Sequence, residues 1–469
     1  MGANRLVRFL GDWSQGPGTL HFRLAEQIKH LVSTGVVASG TRLPSERSLA
    51  TALDISRNTV ARAFDTLRGD GVVSSRQGDG TYVSVGNRIL SPRGDDRLKS
   101  FVSDEARSVA ETVDLRSAAL AGLPMAASEI NQLDGARMRQ LIASHGYLPS
   151  GLPELRLAVA NYYNDLGLPT EPEHILITSG AQQALRLAAS AFVTQGSTVV
   201  IEEPSFRGAI ESMKAIGARL VGVPSGIDGI DVDMLGRIVA RENPALIIVQ
   251  STVHNPTGSV MDTFRRNRVA SIASRYSVPI MDDATLADTI IDGERRPLPL
   301  AAGGDHIVTV GSMSKSFWGG LRVGWVRAHP EMIERLASVK GGEDLGTSLL
   351  AQLLASQLLP QIERARDERH ATLSESRRLV MEALADLTPD WRPQMPTGGA
   401  SLWVALPTTC ATAFAQRAER AGVLILPGPT FSNNDGLDDH IRIAYAGPAS
   451  ETHRGLELLA ATWNTFRDQ

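Results

Sequence analysis

Apolar residues recur along the first eighty positions with the 3.6-residue period of helices and then give way to alternation. Leu20, Leu24, Ile28 and Leu31 share one face of a predicted helix that stops at Gly35. Leu49 and Leu53 mark a second helix, with Ser45 placed to cap it. Ser56 is placed to cap a third, in which Val60, Ala63, Phe64 and Leu67 face inward and Gly69 with Gly71 end the run. The turn between the second and third is short, which is helix-turn-helix geometry. The stretch VVSSRQGDGTYVS alternates about Gly-Asp-Gly and predicts a hairpin, or wing. Residues 86–112 lose all apolar period and are rich in Ser, Arg, Asp and Gly, the composition of a linker.

After Val113 the rhythm becomes strand, turn, helix. HILITSG runs into AQQALRLAASAFV, STVVIEEP into SFRGAIESMKAIG, and ALIIVQS into a loop and a helix ending near Tyr276. VPIMDDA runs into a loop, and HIVTVGSMSK into a small-residue turn. Apolar strands alternating with amphipathic helices predict an α/β class with a mostly parallel sheet covered on both faces. Three segments result: a helix-turn-helix head over 15–85, the linker over 86–112, and a body over 113–469.

Composition narrows the classes without choosing among them. At 469 residues the chain exceeds a single ordinary core. Its 42% hydrophobic and 21% charged residues, with no apolar run long enough to span a bilayer, predict a globular protein and no membrane partner. The opening MGANRLVRFLGDW lacks the apolar core of a signal peptide, and the single cysteine, Cys410, cannot close an internal disulfide, so a cytoplasmic protein is expected. A net charge of -4 argues against a protein that coats nucleic acid but leaves room for a local basic face.

In the head, Arg57, Asn58 and Thr59 open the third helix on its outward face, with Arg62 one turn on. Ser45 and Arg47 lie on the preceding helix near the same surface. Such side chains reach base edges and phosphates, although three amphipathic helices and a hairpin also occur in bundles that never meet DNA. In the body, the ends of successive strands carry chemistry. Lys315 sits in a turn with Ser312, Ser314 and a following Arg322, and a desolvated lysine amine holds an aldehyde as a Schiff base. Ser179-Gly180-Ala181-Gln182 falls at a helix N-terminus, which favours a phosphate. Phe206 offers a stacking face, Asn255 a donor for a phenolate, and Asp282 a carboxylate for a pyridine nitrogen. Aldehyde, phosphate, phenolate and pyridine together describe pyridoxal 5′-phosphate, PLP. Each residue alone also reads as a turn, a cap or ordinary core; their order along successive strand ends favours the cofactor.

The head stretch LPSERSLATALDISRNTVARAFDTLRGDGVVSSRQGDGTYV resembles the winged helix-turn-helix of the GntR family. That resemblance implies DNA contacts by Arg47, Arg57 and Thr59, with Gly80 and Thr81 placing the wing. From about Val113 onward the chain resembles a fold type I aminotransferase with a smaller α+β domain, and as a whole it resembles the MocR group of bacterial regulators. This implies a Lys315 Schiff base with PLP, Asp282 on the ring nitrogen, Asn255 on the phenolate and Phe206 stacked on the ring. It further implies Tyr147, in HGYLPSGLPELR, on the phosphate of a neighbouring subunit. Arg442, in HIRIAYAGP, would grip the carboxylate of an amine or amino acid effector, and Arg207 is a further effector contact. A homodimer on a double-stranded operator with repeated half-sites is implied too.

One departure stands out: Asp282 and Asp283 are followed by Ala284 and Thr285 where close relatives carry a tyrosine. A regulator that senses PLP or an amine is therefore expected, with at most partial aminotransferase chemistry. Two alternatives stay open: an active aminotransferase carrying a DNA-binding appendage, and a body that only dimerises.

Overall fold

The computed structural model describes residues 2–15, 18–33, 36–37, 41–70, 72–76, 80–83, 112–293 and 296–467. The expected linker, apart from Thr112, lies outside the described residues, as do Gly35, Gly71 and residues 77–79 of the wing.

The head is built from α1 (Ala3–Leu10), α2 (Leu20–Ser33), α3 (Glu46–Leu53), α4 (Arg57–Gly69) and the hairpin β1 (Val73–Arg76) with β2 (Gly80–Val83). Both predicted caps form: Ser45 Oγ accepts from Ser48 N and Ser56 Oγ from Thr59 N. Asp54 closes α3 in the left-handed region at φ 53°, which a short polar side chain tolerates. Residues 41–43 add a third edge to the wing, with Leu43 N donating to Thr81 O and Val83 N to Thr41 O. The head starts earlier than residue 15, because α1 buries Leu6, Phe9 and Leu10 in one core with Leu24, Ile28, Leu49 and Phe64. Each of these, fully buried, contributes about 1.5–3 kcal/mol. Two helical turns are too short a window for a period to declare itself.

The body centres on an eight-stranded sheet in the order β4 (Ile175–Thr178), β11 (Gly324–Arg327), β10 (Ile307–Ser312), β9 (Ile280–Asp283), β8 (Leu246–Val249), β5 (Thr198–Glu203), β6 (Arg219–Gly226), β7 (Gly229–Ile230). Strands β10, β9, β8, β5 and β6 run parallel, while β11 is antiparallel to both of its neighbours. Alternate residues enter separate cores on the two faces: Ile177, Val200, Ile247 and Ile280 on one, Leu176, Ile201, Ile248 and Met281 on the other. A sheet buried on both faces explains why its strands read as unbroken apolar runs. β6, β7 and β11 were not among the expected strands. β6 is half-buried through Leu220–Gly222 and alternates buried with exposed positions only from Val223 on, and β11 is a return strand hidden behind the lysine turn.

A smaller domain carries an antiparallel sheet, β12 (Arg392–Pro393), β13 (Ser401–Ala405), β16 (His440–Ala444) and β15 (Leu426–Pro427), in that order. β14 (Val423–Leu424) pairs in parallel with β3 (Val113–Asp114), so the start of the body belongs to the small domain. The 26-residue helix α7 (Ile362–Leu387) joins the domains, burying Ile362 and Ala365 in the large core and Leu373, Val380 and Leu384 in the small one. The head meets the small domain through polar contacts. Asp12 pairs with Arg420 at 2.7 Å on α8 (Ala411–Arg420), its N–H donates to Gln416, and Arg5 pairs with Asp435.

Candidate cofactor site and DNA interface

The lysine turn leaves β10 through Met313 and makes one wide helical turn, Ser314–Trp318, before the chain returns as β11. Single π-type turns of this kind recur at functional sites. Ser312 and Ser314 place their hydroxyls 3.0 Å apart. Arg322 adopts φ 52° and donates to Ser179 O at 3.0 Å, which brings it against the N-terminus of α5 (Ala181–Phe192). Gly180, at φ 83°, caps that helix, and a Cβ on it would lie 2.9 Å from Arg322 Nη2. Only glycine lets the guanidinium and the helix end share one concave spot. Ala181 and Gln182 contribute backbone there, since the Gln182 amide donates to Ser212.

The other candidates lie at or past the ends of β9, β8 and β5, which are neighbours in the sheet. Asp282 is buried, its two carboxylate oxygens accepting from Ser251 N and Ser251 Oγ, both at 2.9 Å. Burial raises its pKa against the pull of Arg266. Asn255 Oδ1 accepts from Arg442 Nη1 at 3.1 Å, leaving its amide N–H groups for another acceptor. Phe206 caps α6 (Arg207–Ala215) and folds its ring over Gly208, where a Cβ would lie 2.5 Å from the ring. Past β9, Thr285 donates both its N–H and its hydroxyl back to Asp283.

Three cations meet over this floor. The Lys315 amine has its pKa pushed down to about 8 by burial first, then by Arg442 and Arg369. Arg442 is 6% exposed on β16 with its guanidinium 4.9 Å above the Phe431 ring, and its Nε finds no acceptor among the described residues. Arg369, on α7, donates to Ser316 O, Phe317 O and Ala121 O. Neither Arg369 nor the neighbouring Asp288 was singled out from the sequence. The buried Asp288 accepts from Tyr162, Arg296, Arg366 and Ser316, and so ties the loop after β9 to the lysine turn.

Two expected residues stand apart. Tyr147 is 59% exposed and stacks on His145, with no hydrogen bond to the phosphate spot among the described residues. Arg207 pairs with Glu211 at 2.6 Å along its own helix.

On the head, Arg47, Arg57, Asn58 and Arg62 are exposed. Arg57 lies 3.4 Å from Glu46. Ser45 is engaged as a cap, and the Thr59 hydroxyl sits 2.8 Å from that of Ser56. Gly80 takes φ 113°, a conformation that admits Arg42 beside the wing next to Thr81.

Comparison with known proteins agrees with both halves. Residues 121–459 match the family described as aminotransferase class I and II, and residues 21–83 match bacterial regulatory proteins, gntR family. The chain belongs to the aminotransferase class I and II family. PLP is the cofactor that this family implies, and the GntR-type head implies DNA binding. The layout recurs in the HTH-type transcriptional regulator YdfD of Bacillus subtilis, uncharacterised, at 27% identity over 89% of this chain and 91% of that protein. It recurs too in the probable rhizopine catabolism regulatory protein MocR of Rhizobium meliloti, at 28% identity over 73% of this chain and 72% of that one. Among solved structures, the class I and II body is similar to LysN, an α-aminoadipate aminotransferase of Thermus thermophilus complexed with N-(5′-phosphopyridoxyl)-L-leucine. That match has a TM-score of 0.69 and 27% identity, over 81% of this chain and 99% of the other. No helix among the described residues is long and apolar enough to cross a membrane.

Proposed function

We propose that this chain is a PLP-dependent transcription regulator whose body senses PLP or an amine or amino acid and sets how two heads meet DNA. The observation that carries this reading is the Lys315 amine, held between Arg442 and Arg369 with its pKa near 8, in a chain that begins with a GntR-type head. Bound there, PLP supplies an aldehyde for an amine and an electron-withdrawing ring. In this reading Asp282 pairs with the ring nitrogen, the Asn255 amide donates to the phenolate oxygen, and Phe206 covers the ring. Ser312, Ser314, Arg322 and the backbone of Gly180, Ala181 and Gln182 hold the phosphate. Arg442 presents a planar fork to a carboxylate, while Arg207 reaches an effector only by leaving Glu211.

The exposure of Tyr147 fits a homodimer in which it completes the site of the other subunit, and two heads then read repeated half-sites in a cytoplasmic regulator. Arg47, Arg57, Asn58, Thr59 and Arg62 meet the operator, with Gly80 and Thr81 at the wing. An absorbance titration of the full chain with PLP, beside Lys315→Ala, tests the reading. A visible band that needs Lys315, together with operator affinity that changes with PLP, supports it; no band in the wild type refutes the cofactor half. Likeness to LysN favours a second reading, turnover as an aminotransferase, against which Thr285 counts by lacking the phenol. Steady keto-acid production that Lys315→Ala abolishes would establish that second reading.

A further inference from the structure

The first stretch of the body crosses directly over the site. It is fixed at one end to the small domain, where Val113 N donates to Gly422 O, Leu115 N to Leu424 O, and Ala444 N to Leu115 O. At the other end Leu123 N donates to Phe317 O in the lysine turn. Between these anchors, backbone carbonyls face all three cations of the site. Arg116 O accepts from Arg442 Nη2, Ala118 O from Lys315 Nζ at 2.9 Å, and Ala121 O from Arg369 Nη2 at 2.7 Å. Leu120 is buried in the small-domain core and holds the middle down, whereas Ala119 is exposed.

A carbonyl is a neutral acceptor and satisfies a guanidinium or ammonium without cancelling its charge. Arg442 Nε, buried and lacking an acceptor among the described residues, shows that the cluster has capacity left for an anion. A lysine amine that donates to Ala118 O is also not free to meet an aldehyde. Hydrogen bonds from a charged donor are the strong ones, so a ligand that takes over two of them faces a real competitor.

We propose that the strap Arg116–Ala121 is the internal competitor of the ligand: its carbonyls hold Lys315 and Arg442 and are released when PLP or a carboxylate takes them. This rests on the PLP reading above and adds its regulation. The strap leads upstream through β3, on the small domain, to residues 84–111 and the head, and the head contacts that same domain through Arg5 and Asp12. A ligand that prefers the released strap therefore biases the piece of the molecule that carries the head, by linkage.

The test uses the full chain with Cys410→Ser and Ala119→Cys, labelled at residue 119 with an environment-sensitive fluorophore and titrated with PLP. The expected result is an emission change with the same midpoint as the Lys315-dependent absorbance band. Leu120→Ala, which loosens the strap, should tighten PLP binding on the order of tenfold and weaken the dependence of operator affinity on PLP. A merely structural role for Leu120 predicts the opposite sign for PLP. A band with a silent label and no tighter binding by Leu120→Ala overturns the strap and leaves the PLP reading intact; absence of the band overturns both. Because the label reads the otherwise unaltered strap, the test stands even if Leu120→Ala folds poorly.

Discussion

The most direct consequence of the site concerns the protonation of Lys315. Burial, with the nearby Arg442 and Arg369 charges, pushes its amine from an ordinary 10.5 down to about 8. Only the neutral amine attacks an aldehyde, so the sign is simple: a lower pKa leaves more neutral amine at a given pH. At pH 7.5 about a quarter of the molecules carry a neutral Lys315, against about 0.1% for an unperturbed lysine. Burial is the largest cause and survives mutation of a neighbour; the Arg442 charge comes next. Arg442→Met keeps much of the apolar stem and removes that charge, which should raise the amine by on the order of one pH unit.

The assay is the rate at which the PLP absorbance band forms, by stopped flow, in wild type and Arg442→Met from pH 6.5 to 10.5. In wild type the rate should climb with pH and level off above about 8. In the variant the midpoint moves up by about one unit, the rate at pH 7.5 falls roughly eightfold, and the two curves meet at high pH. Ionisations of PLP itself are common to both proteins and cancel in the comparison. A wild-type midpoint at or above 10, or coincident midpoints in the two proteins, would refute the reasoning.

Two buried acids give further outcomes. Glu202, 1% exposed, accepts from Ser225 Oγ and Gln250 N, and burial raises its pKa to about 8. Between the ordinary carboxylate value and 8 the folded chain keeps a proton that the unfolded chain releases, so stability falls as pH rises through that window. Glu202→Gln should remove that loss, gaining about 2–4 kcal/mol at pH 8, seen as a melting temperature that no longer drops between pH 6 and 8; an equal drop in both proteins contradicts it. For Asp288, burial pushes the pKa up, but Arg296 and Arg366 outweigh it and hold the carboxyl below its usual range. Its contribution is therefore present above the ordinary carboxylate pKa and fades as pH falls through the lower folded value. Asp288→Asn removes the carboxylate that Arg296 and Arg366 share, leaving them Tyr162 and Glu363, and should cost on the order of 3 kcal/mol at neutral pH, a gap in melting temperature that narrows in acid.

What the sequence disclosed and what it hid divide along a physical line. Strands buried on both faces, such as Leu246–Val249 and Ile280–Asp283, announce themselves as short apolar runs, and the caps Ser45 and Ser56 are local in sequence because their hydrogen bonds are. Lys315, Asp282 and Asn255 were legible for a related reason: each sits just past such a run, so the strand that positions it also marks it. Asp288 was not, because its partners Tyr162 and Arg366 lie 126 and 78 residues away and no local spacing encodes their meeting. The strap is the harder case. It acts through the carbonyls of Arg116, Ala118 and Ala121, and every residue type supplies that atom equally. Its only chemical signature lies on the other side of each contact, where Lys315, Arg442 and Arg369 donate to backbone or amide oxygens and, among the described residues, none of the three pairs directly with a carboxylate. Like charges gathered away from water with only neutral acceptors beside them are costly, and that cost favours an anionic ligand at these strand ends.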